Sequence, residues 1–260
     1  MLKSERFVYI LGAIREKGVV TVREIMDACG VSDMTARRDL AELEHQGRLA
    51  RVHGGAQGLG FSLDNELSHQ QKTAQDQMQK QAIARHAASL VKDQDVVFLG
   101  PGTTVEELAR LLRGRDMLVV TTSHPAFMAL SGDTTTQVFL VGGEYRAKTE
   151  SFVGELTLEQ VRSFSYTSAF ISCNGIHGAD ITSYSPSEGV IQKTALDTSQ
   201  YHYLLADHTK FNHKDFYTYC SLEDIDLCIT DDGIAEEDLA LARTFVDVKV
   251  VEAEGTEADA

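Results

Sequence analysis

The chain has 260 residues, of which 43% are hydrophobic, and its formal net charge is −15. This apolar content is enough for two packed domains and excludes a mainly disordered chain. The charge is unevenly distributed: residues 1–56 hold nine basic and eight acidic side chains, so the acidity belongs to the rest of the chain,.

The cysteines and the N-terminal apolar run indicate the compartment. Four cysteines are scattered without metal-type spacing, which favours reduced thiols over a disulfide framework. The apolar run at residues 7–14 is far shorter than the roughly 20 residues of a membrane span. We therefore expect a cytoplasmic protein without signal peptide or membrane anchor. Because the nine histidines are dispersed, we predict no metal site, and no motif calls for a cofactor.

Three short helices are predicted at the N-terminus. Apolar residues at helical spacing predict a helix over residues 4–16,. Thr21 precedes Glu24 by three residues, the spacing of a capping box at the start of a second helix. Ser32 then predicts the cap of a third helix that runs to about residue 46. Three helices joined by short turns are typical of a helix-turn-helix.

A basic strand and a glycine turn follow the third helix. Residues 48–53 alternate apolar and basic side chains before Gly54 and Gly55, which predicts a strand leading into a tight turn. Residues 1–56 are therefore predicted to form a winged helix-turn-helix domain. The polar, glycine-containing residues 57–72 are predicted to be a linker.

The third helix has the features of a DNA-reading helix. Ala36, Leu40 and Leu43 share one narrow face that must pack inward, which leaves the opposite face for the major groove. Pairs of arginines are also common on solvated helix faces, but the caps, the basic strand and the glycine turn together favour DNA binding. A locally basic face suffices in an acidic chain, because charges are screened beyond about 8 Å. The predicted DNA-binding residues are Ser32, Met34, Thr35, Arg37, Arg38, Arg48, Arg51 and His53.

The remainder alternates apolar strands with helices. Strands are predicted at residues 95–99, 117–122, 137–142, 168–173, 201–206, 226–230 and 248–251. Helices are predicted at residues 73–91, 104–113, 124–131, 155–164, 187–199 and 235–244. This alternation predicts an α/β domain over residues 73–253, with a doubly covered, mostly parallel sheet. Residues 254–260 are predicted to be a frayed acidic tail.

The stretch FLGPGTTVEELARLL predicts an anion site in this domain. A buried strand ends at Leu99, a Gly/Thr turn follows, and a helix starts directly afterwards. Backbone N–H groups and hydroxyls of such a turn, together with the helix dipole, favour a phosphate. The threonines could equally serve only as the helix cap, and both interpretations stay open on the residues alone. The turn matches neither a Walker A motif nor a dinucleotide fingerprint.

Other strand ends supply groups that suit a polyhydroxylated phosphate, because parallel strands deliver them to the same edge of the sheet. These groups are hydroxyls, glycine amides, a carboxylate and two cations. With the Gly/Thr turn, they form the predicted effector-binding residues Gly100, Gly102, Thr103, Thr104, Thr122, Ser123, Gly142, Gly143, Arg146, Asp207 and Lys210.

The stretch VSDMTARRDLAELEHQGRLARVHGGA resembles the signature of the DeoR-type bacterial transcriptional repressors. The resemblance extends over nearly the whole chain. It implies a winged helix-turn-helix joined to a sugar-phosphate-sensing domain related in fold to ribose-5-phosphate isomerase and the CoA transferases. It also implies that the G-T-T turn and the D-x-[ST]-K motif, here Asp207 to Lys210, belong to the effector site.

Two positions depart from the family pattern. Asn174 stands where the family usually has Asp in a D-G-I turn, and Gln192 stands at the position of a usual Lys, with Lys193 one residue later. All three are included among the predicted effector-binding residues. Because neutral Asn174 cannot act as the carboxylate base of an isomerase, we expect a sensor and not an enzyme.

The resemblance implies a homo-oligomeric repressor that binds double-stranded operator DNA and is released by a phosphorylated sugar. FLGPGTTVEELA and GGEYRAKTESFVGELT resemble the branch of the family that regulates lactose use. That branch implies a lactose or galactose operon and tagatose 6-phosphate as the inducer. The alternatives are a sugar-phosphate isomerase-like enzyme with a DNA-binding appendage and a transcriptional activator of the same family.

Overall fold

The chain divides into two units, Met1–Glu66 and Leu67–Ala260, in a computed structural model that describes residues 1–17, 19–45, 49–52, 54–58 and 66–253. Two predicted DNA contacts, Arg48 and His53, and the predicted tail at residues 254–260 lie outside the described residues.

The first unit combines three helices with a small sheet. Its elements in chain order are α1 (Lys3–Lys17), β1 (Val19–Thr21), α2 (Val22–Cys29), α3 (Asp33–His45), β2 (Leu49–Val52) and β3 (Gly55–Gly58). The predicted capping box is confirmed, because Thr21 Oγ1 accepts a hydrogen bond from Glu24 N at 3.1 Å and the Glu24 carboxylate accepts one from Thr21 N at 2.8 Å. The predicted inner face of α3 is also confirmed, since Ala36, Leu40 and Leu43 are buried.

The wing is a three-stranded antiparallel sheet in the order β1-β3-β2. Sequence analysis predicted only one of its strands, since β1 has three residues and β3 is rich in glycine. Gly55 is required by close packing: a Cβ atom there would lie 2.2 Å from the carbonyl oxygen of Val20. Gly54 has a φ of 78°, the left-handed region that favours glycine,.

The second unit is built around a larger sheet. Its helices are α4 (His69–Thr73), α5 (Gln77–Leu90), α6 (Thr103–Leu112), α7 (His124–Leu130), α8 (Glu155–Arg162), α9 (Pro186–Asp197) and α10 (Glu236–Ala242), with short 3-10 helices at His208–Lys210 and Leu222–Asp224. Its strands are β4 (Val96–Leu99), β5 (Leu118–Thr121), β6 (Gln137–Leu140), β7 (Glu144–Arg146), β8 (Ser151–Val153), β9 (Tyr166–Ser172), β10 (Gly175–His177), β11 (Asp180–Ser183), β12 (Ser199–Leu205), β13 (Tyr217–Ser221), β14 (Leu227–Asp231) and β15 (Val248–Val251).

The seven predicted strands form one parallel sheet in the order β15-β14-β12-β9-β4-β5-β6. Apolar side chains cover both of its faces. Val97 and Leu99 pack with α5, α6 and α7, whereas Phe98 packs with the cluster that contains residues of α8, α9 and α10. The prediction of a doubly covered, mostly parallel α/β sheet is therefore confirmed.

The remaining strands were not predicted. They form the hairpin β7–β8 and an antiparallel sheet in the order β10-β11-β13. Both lie beyond the apolar runs that identified the central strands.

The segment predicted as a linker begins and ends in regular structure. Gln57 pairs with Val19 in the wing sheet, and His69–Thr73 is helical. The single helix predicted over residues 73–91 is wrong at its start, because Asp76 has a left-handed φ of 48° and separates α4 from α5. Polar α4 has no apolar face by which sequence analysis could have recognised it,.

Candidate functional sites

The start of α3 holds the first candidate site. Ser32 Oγ accepts a hydrogen bond from Thr35 N at 3.4 Å and lies 3.0 Å from Thr35 Oγ1. These contacts fix the first turn of the helix. Met34 is 80% exposed, so it lies on the outer face as predicted. The structure thus places Ser32, Met34 and Thr35 together at one helix end.

The two adjacent arginines of α3 differ in their surroundings. Arg37 Nε donates to Asp33 Oδ1 at 2.7 Å, one turn earlier on the exposed surface. Arg38 is exposed and makes no hydrogen bond or ion pair with a residue that the structure describes. A guanidinium without a protein partner keeps all its donors available for a base edge or a phosphate. Of the two predicted DNA contacts, Arg38 therefore has the guanidinium that is not engaged by another described residue.

A buried ion pair sets the position of α3, and sequence analysis missed it. Arg6 on α1 binds Asp39 on α3 through both guanidinium edges, Nε to Oδ2 at 2.6 Å and Nη2 to Oδ1 at 3.0 Å. The Asp39 side chain is only 4% exposed. The two residues are 33 positions apart and belong to different helices, so no local pattern signals the contact.

In the wing, Arg51 lies 3.8 Å from the carboxylate of Glu44 and remains 45% exposed. The Glu44 carboxylate also accepts a hydrogen bond from Arg51 N at 2.8 Å. Strand β2 is thereby tied to the C-terminal half of α3. The guanidinium of Arg51 stays accessible to a phosphate.

The predicted Gly/Thr turn lies between β4 and α6. Gly102 caps the helix with a φ of 149° and without a side-chain cap hydrogen bond. A Cβ atom on Gly102 would lie 2.0 Å from Ser172 Oγ, and that hydroxyl donates to Pro101 O at 2.7 Å. The end of β9 thus fixes the shape of the turn.

The two threonines of this turn do not act as the helix cap. Thr103 and Thr104 are 9% and 5% exposed. Neither hydroxyl hydrogen-bonds to any residue in the described part of the chain. The first-turn amides of an α-helix also lack intrahelical acceptors. The turn therefore presents unused donors at the positive end of a ten-residue helix,.

The carboxyl ends of four neighbouring strands bring several predicted residues to the same edge of the sheet. Strand register pairs Leu99 with both Thr121 and Phe170, and pairs Leu205 with Ser172. Consequently β12, β9, β4 and β5 end side by side, as predicted.

The end of β5 supplies Thr122 and Ser123. Thr122 Oγ1 is buried and has no hydrogen-bond partner among the described residues. Ser123 Oγ accepts a hydrogen bond from Ala126 N at 3.3 Å and so caps α7. Of the two predicted hydroxyls, the one on Ser123 therefore has a structural role as a helix cap, whereas the one on Thr122 is unpaired within the described chain.

The end of β12 supplies a buried carboxylate. Asp207 is 1% exposed, and its Oδ1 accepts hydrogen bonds from Thr209 N at 3.0 Å and from the Thr209 hydroxyl. Its Oδ2 has no hydrogen-bond partner among the residues that the structure describes and lies 3.6 Å from Lys210 Nζ. Burial raises the pKa of Asp207, but the charges of Lys210 and Lys80 and the hydrogen bonds from Thr209 outweigh it and hold the pKa below its ordinary value. Asp207 therefore offers a charged, unused acceptor.

At the positions that depart from the family pattern, the structure separates Gln192 from its neighbour Lys193. Gln192 Oε1 accepts a hydrogen bond from Ser172 N at 3.2 Å, and it would be 2.9 Å from a Cβ atom on Gly100. Lys193 instead pairs with Asp197 on its own helix. The structure brings Gln192 to the Gly/Thr turn and directs Lys193 to Asp197. Asn174 lies two residues beyond Ser172, where its backbone N donates to Thr182 O at 3.0 Å.

The predicted glycines after β6 serve packing. Gly142 O accepts a hydrogen bond from Thr157 Oγ1 at 3.0 Å, and a Cβ atom on Gly143 would lie 2.0 Å from the same hydroxyl. These two glycines allow α8 to approach closely.

Arg146 belongs to a polar cluster on the β7–β8 hairpin. Its Nη1 donates to Thr149 Oγ1 at 3.1 Å and lies 3.8 Å from Glu188 Oε1. The same Glu188 oxygen accepts hydrogen bonds from Ser151 Oγ at 2.6 Å and from the Thr149 hydroxyl. Buried Glu188 thus positions Arg146. Sequence analysis missed Glu188, although its place in the first turn of α9 after a serine cap was a detectable helix-start signal,.

The described residues contain no group of three or more His, Cys, Asp or Glu side chains that could hold a metal ion. Within the same part of the chain, no helix has the length and apolar character needed to cross a bilayer. All four cysteines are free and buried.

The fold and the two candidate sites define a class of protein. It has a winged-helix unit with an exposed arginine on its third helix and an α/β unit with unpaired hydroxyls, among the described residues, at the start of α6. Residues 6–59 match the family described as DeoR-like helix-turn-helix domain. Residues 75–232 match the DeoR C terminal sensor domain. The chain belongs to the DeoR family of DNA-binding transcriptional regulators.

Curated relatives cover nearly the whole chain. The lactose phosphotransferase system repressor of Lactococcus lactis subsp. lactis is 40% identical over 242 residues, 92% of this chain and 95% of that protein. The protein of the same name from Staphylococcus aureus strain N315 is 36% identical over 250 residues, 95% of this chain and 99% of that protein.

Among solved structures, ribose 5-phosphate isomerase A from Methanocaldococcus jannaschii is 18% identical. The similarity covers 51% of this chain and 53% of that chain, with a TM-score of 0.38.

Proposed function

We propose that this regulator is a homo-oligomeric repressor of a sugar-utilisation operon in the cytoplasm, and that a phosphorylated sugar releases it from its operator. The names of the 36–40% identical relatives support repression and lactose metabolism. Tagatose 6-phosphate is our first candidate for the effector. In this proposal the sensor unit binds the sugar and does not convert it.

The DNA-binding half of the proposal depends on α3. Its N-terminal residues and Arg38 read the major groove, while Arg51 of the wing binds a neighbouring phosphate. Two such units in an oligomer must match half-sites about 34–36 Å apart, or a multiple of that spacing. A ligand that changes the relative placement of the units by a small rotation would prevent simultaneous docking.

One observation carries the sensing half: Thr103 and Thr104 are more than nine-tenths buried, yet their hydroxyls have no partner within the described chain. Hydroxyls without a protein partner at the start of a helix suit a bound oxyanion. The first turn of α6 would bind the phosphate. Asp207 Oδ2, just after β12, which lies two places along the sheet from β4, would accept a hydrogen bond from a sugar hydroxyl.

A thermal-shift screen of the full chain with phosphorylated hexoses and pentoses tests the sensing half. We expect tagatose 6-phosphate to raise the unfolding temperature of the wild type and to leave that of Thr103→Val unchanged. The conservative Thr103→Ser variant is the matched control, because it retains the hydroxyl. Equal stabilisation of all three proteins would remove the Gly/Thr turn from the site.

The alternative, an isomerase-like enzyme, is tested by NMR. Asn174 lacks the proton-accepting carboxylate that the family usually has at this position, so we propose binding without turnover. The protein is incubated with tagatose 6-phosphate and separately with galactose 6-phosphate. Interconversion above the rate of a heat-denatured sample would establish an enzyme. A reporter gene behind the operator, with and without this protein, distinguishes repression from activation.

A further inference from the structure

Helix α4 is the first helix of the second unit after the chain leaves the DNA-binding unit. It is short and capped by Ser68, whose Oγ accepts a hydrogen bond from Gln71 N at 3.3 Å, while Gln71 Oε1 accepts one from Ser68 N at 2.8 Å. None of its residues is buried. Since α4 lacks an apolar anchor, polar contacts determine where it lies.

His69 at the start of α4 makes three of these contacts. Its Nε2 lies 2.8 Å from Glu106 Oε2, and its Nδ1 lies 3.5 Å from Glu150 Oε1. Its backbone N donates to Lys148 O at 2.8 Å. Glu106 belongs to the first turns of α6, directly after the Gly/Thr turn, whereas Lys148 and Glu150 lie in the turn of the β7–β8 hairpin.

Both elements that His69 contacts belong to the proposed effector site. Glu106 N donates to Gly102 O at 2.9 Å, so its backbone follows any shift of the turn. A phosphate at the start of α6 would also add negative charge about one helical turn, roughly 5 Å, from Glu106. The hairpin carries Arg146 and Thr149, whose shared contact with Glu188 fixes the strand next to Glu150.

A third connection holds the other end of α4. Lys80 is only 4% exposed, and its ammonium donates to Lys72 O at 2.5 Å and to Gln75 O. Burial lowers the pKa of Lys80, and the carboxylate of Asp207 opposes that shift while the charge of Lys210 adds to it. Lys80, which holds the C-terminal end of α4, therefore interacts electrostatically with Asp207 of the proposed effector site.

We propose that α4 is the coupling element of this regulator, and that His69 is its positioning residue, linking the Gly/Thr turn and the β7–β8 hairpin to the chain that leads to the DNA-binding unit. This inference rests on the proposed function, because it presupposes a ligand at the turn. Occupation of the turn moves Glu106 and the hairpin, and α4 follows through the contacts of His69 with Glu106, Lys148 and Glu150.

The first test compares wild type, His69→Ala and the matched control His177→Ala, all as full-length protein. His177 is an exposed histidine of the same unit, and its side chain makes no hydrogen bond or ion pair with a described residue. Operator affinity is measured by fluorescence anisotropy with and without saturating tagatose 6-phosphate, or the sugar phosphate that stabilises the wild type most in the screen above. Sugar affinity is measured by calorimetry.

For His69→Ala we expect sugar affinity and sugar-free operator affinity within about threefold of wild type. The sugar-induced loss of operator affinity should shrink at least tenfold, whereas His177→Ala should respond like wild type. An unchanged sugar effect in His69→Ala overturns the coupling role and leaves the proposed function intact. A wild type that binds the sugar without losing operator affinity overturns the proposed function, and the coupling role with it.

Hydrogen exchange on the wild type supplies a test that does not depend on how a variant folds. Saturating sugar phosphate should slow amide exchange at residues 102–106 and also change exchange at residues 68–75. Protection at residues 102–106 with identical exchange at residues 68–75 overturns the inference.

Discussion

Replacing Gly102 by Ala tests the shape of the Gly/Thr turn most severely. The new Cβ atom would lie 2.0 Å from Ser172 Oγ and 2.8 Å from Ser172 Cβ, both far inside van der Waals contact. The φ of 149° at Gly102 is also a backbone conformation that alanine rarely adopts,. The variant therefore combines a steric clash with backbone strain.

The expected cost has two parts. Strained backbone costs about 1–3 kcal/mol, and overpacking a tight site costs about 1–3 kcal/mol. Together the sensor unit should lose roughly 2–6 kcal/mol of its free energy of unfolding. Replacing Ser172 by Gly removes both clashing atoms and leaves the strain. That single change forfeits the Ser172–Pro101 hydrogen bond, worth about 0.5–1.5 kcal/mol,.

Urea unfolding followed by far-UV circular dichroism measures these losses, because the chain has no tryptophan. The Gly102→Ala/Ser172→Gly double variant should lose less free energy of unfolding than the two single variants lose in sum. We expect the difference to be at least about 1 kcal/mol, because the two residues are in contact. Gly102→Ala alone should not bind the sugar phosphate. A Gly102→Ala protein as stable as the wild type would refute the geometry of the turn.

Three further predictions concern other groups. Arg38→Ala should weaken operator binding by about 1–3 kcal/mol in gel-shift assays and leave the unfolding temperature unchanged; equal binding by the variant would exclude Arg38 from the interface. Glu188→Ala removes the acceptor of Thr149 and Ser151 and should destabilise the sensor unit by about 1–3 kcal/mol in urea, and an unchanged urea midpoint would contradict this network. Burial raises the pKa of Glu106, but its contacts with His69 and Arg110 outweigh burial and hold the pKa below its ordinary value. Ionised Glu106 therefore stabilises the fold above the ordinary carboxyl pKa of about 4.3, and this contribution disappears as pH falls through the lowered value. The wild type should thus lose stability more steeply than Glu106→Gln between about pH 5 and pH 3, and parallel curves would contradict it.

The central sheet could be predicted closely because each of its strands is an apolar run flanked by turns or helices. The hairpin β7–β8 could not, since its strands have three residues each and alternate only weakly. Helix α4 was assigned partly to a linker because no apolar residue marks it. Its position depends on His69 contacts with residues at least 37 positions away in sequence.

The residues of the candidate sites likewise divide into those that the sequence could predict and those that it could not. Residues at strand ends and helix caps could be predicted, because the local pattern fixes where they emerge: Thr103, Thr122 and Asp207 all lie at the predicted edge. The contacts of residues that position others could not be predicted, because their partners lie on distant elements: this holds for Asp39, and for Glu188 although its place in the first turn of α9 was detectable. Only the structure shows that Gln192, and not Lys193, lies beside the Gly/Thr turn, because one residue along a helix turns a side chain by about 100°,.

The most direct measurement is a selection of DNA duplexes from a random library by the full-length protein at physiological ionic strength, followed by elution with sugar phosphates. A sensor-controlled repressor should enrich a sequence with two related half-sites. It should release the bound DNA when tagatose 6-phosphate or another phosphorylated sugar is added, but not when the unphosphorylated sugar is added. Recovery of duplexes without a shared sequence would contradict the DNA-reading role of α3. A shared sequence that no phosphorylated sugar elutes would contradict the sensing role of the second unit.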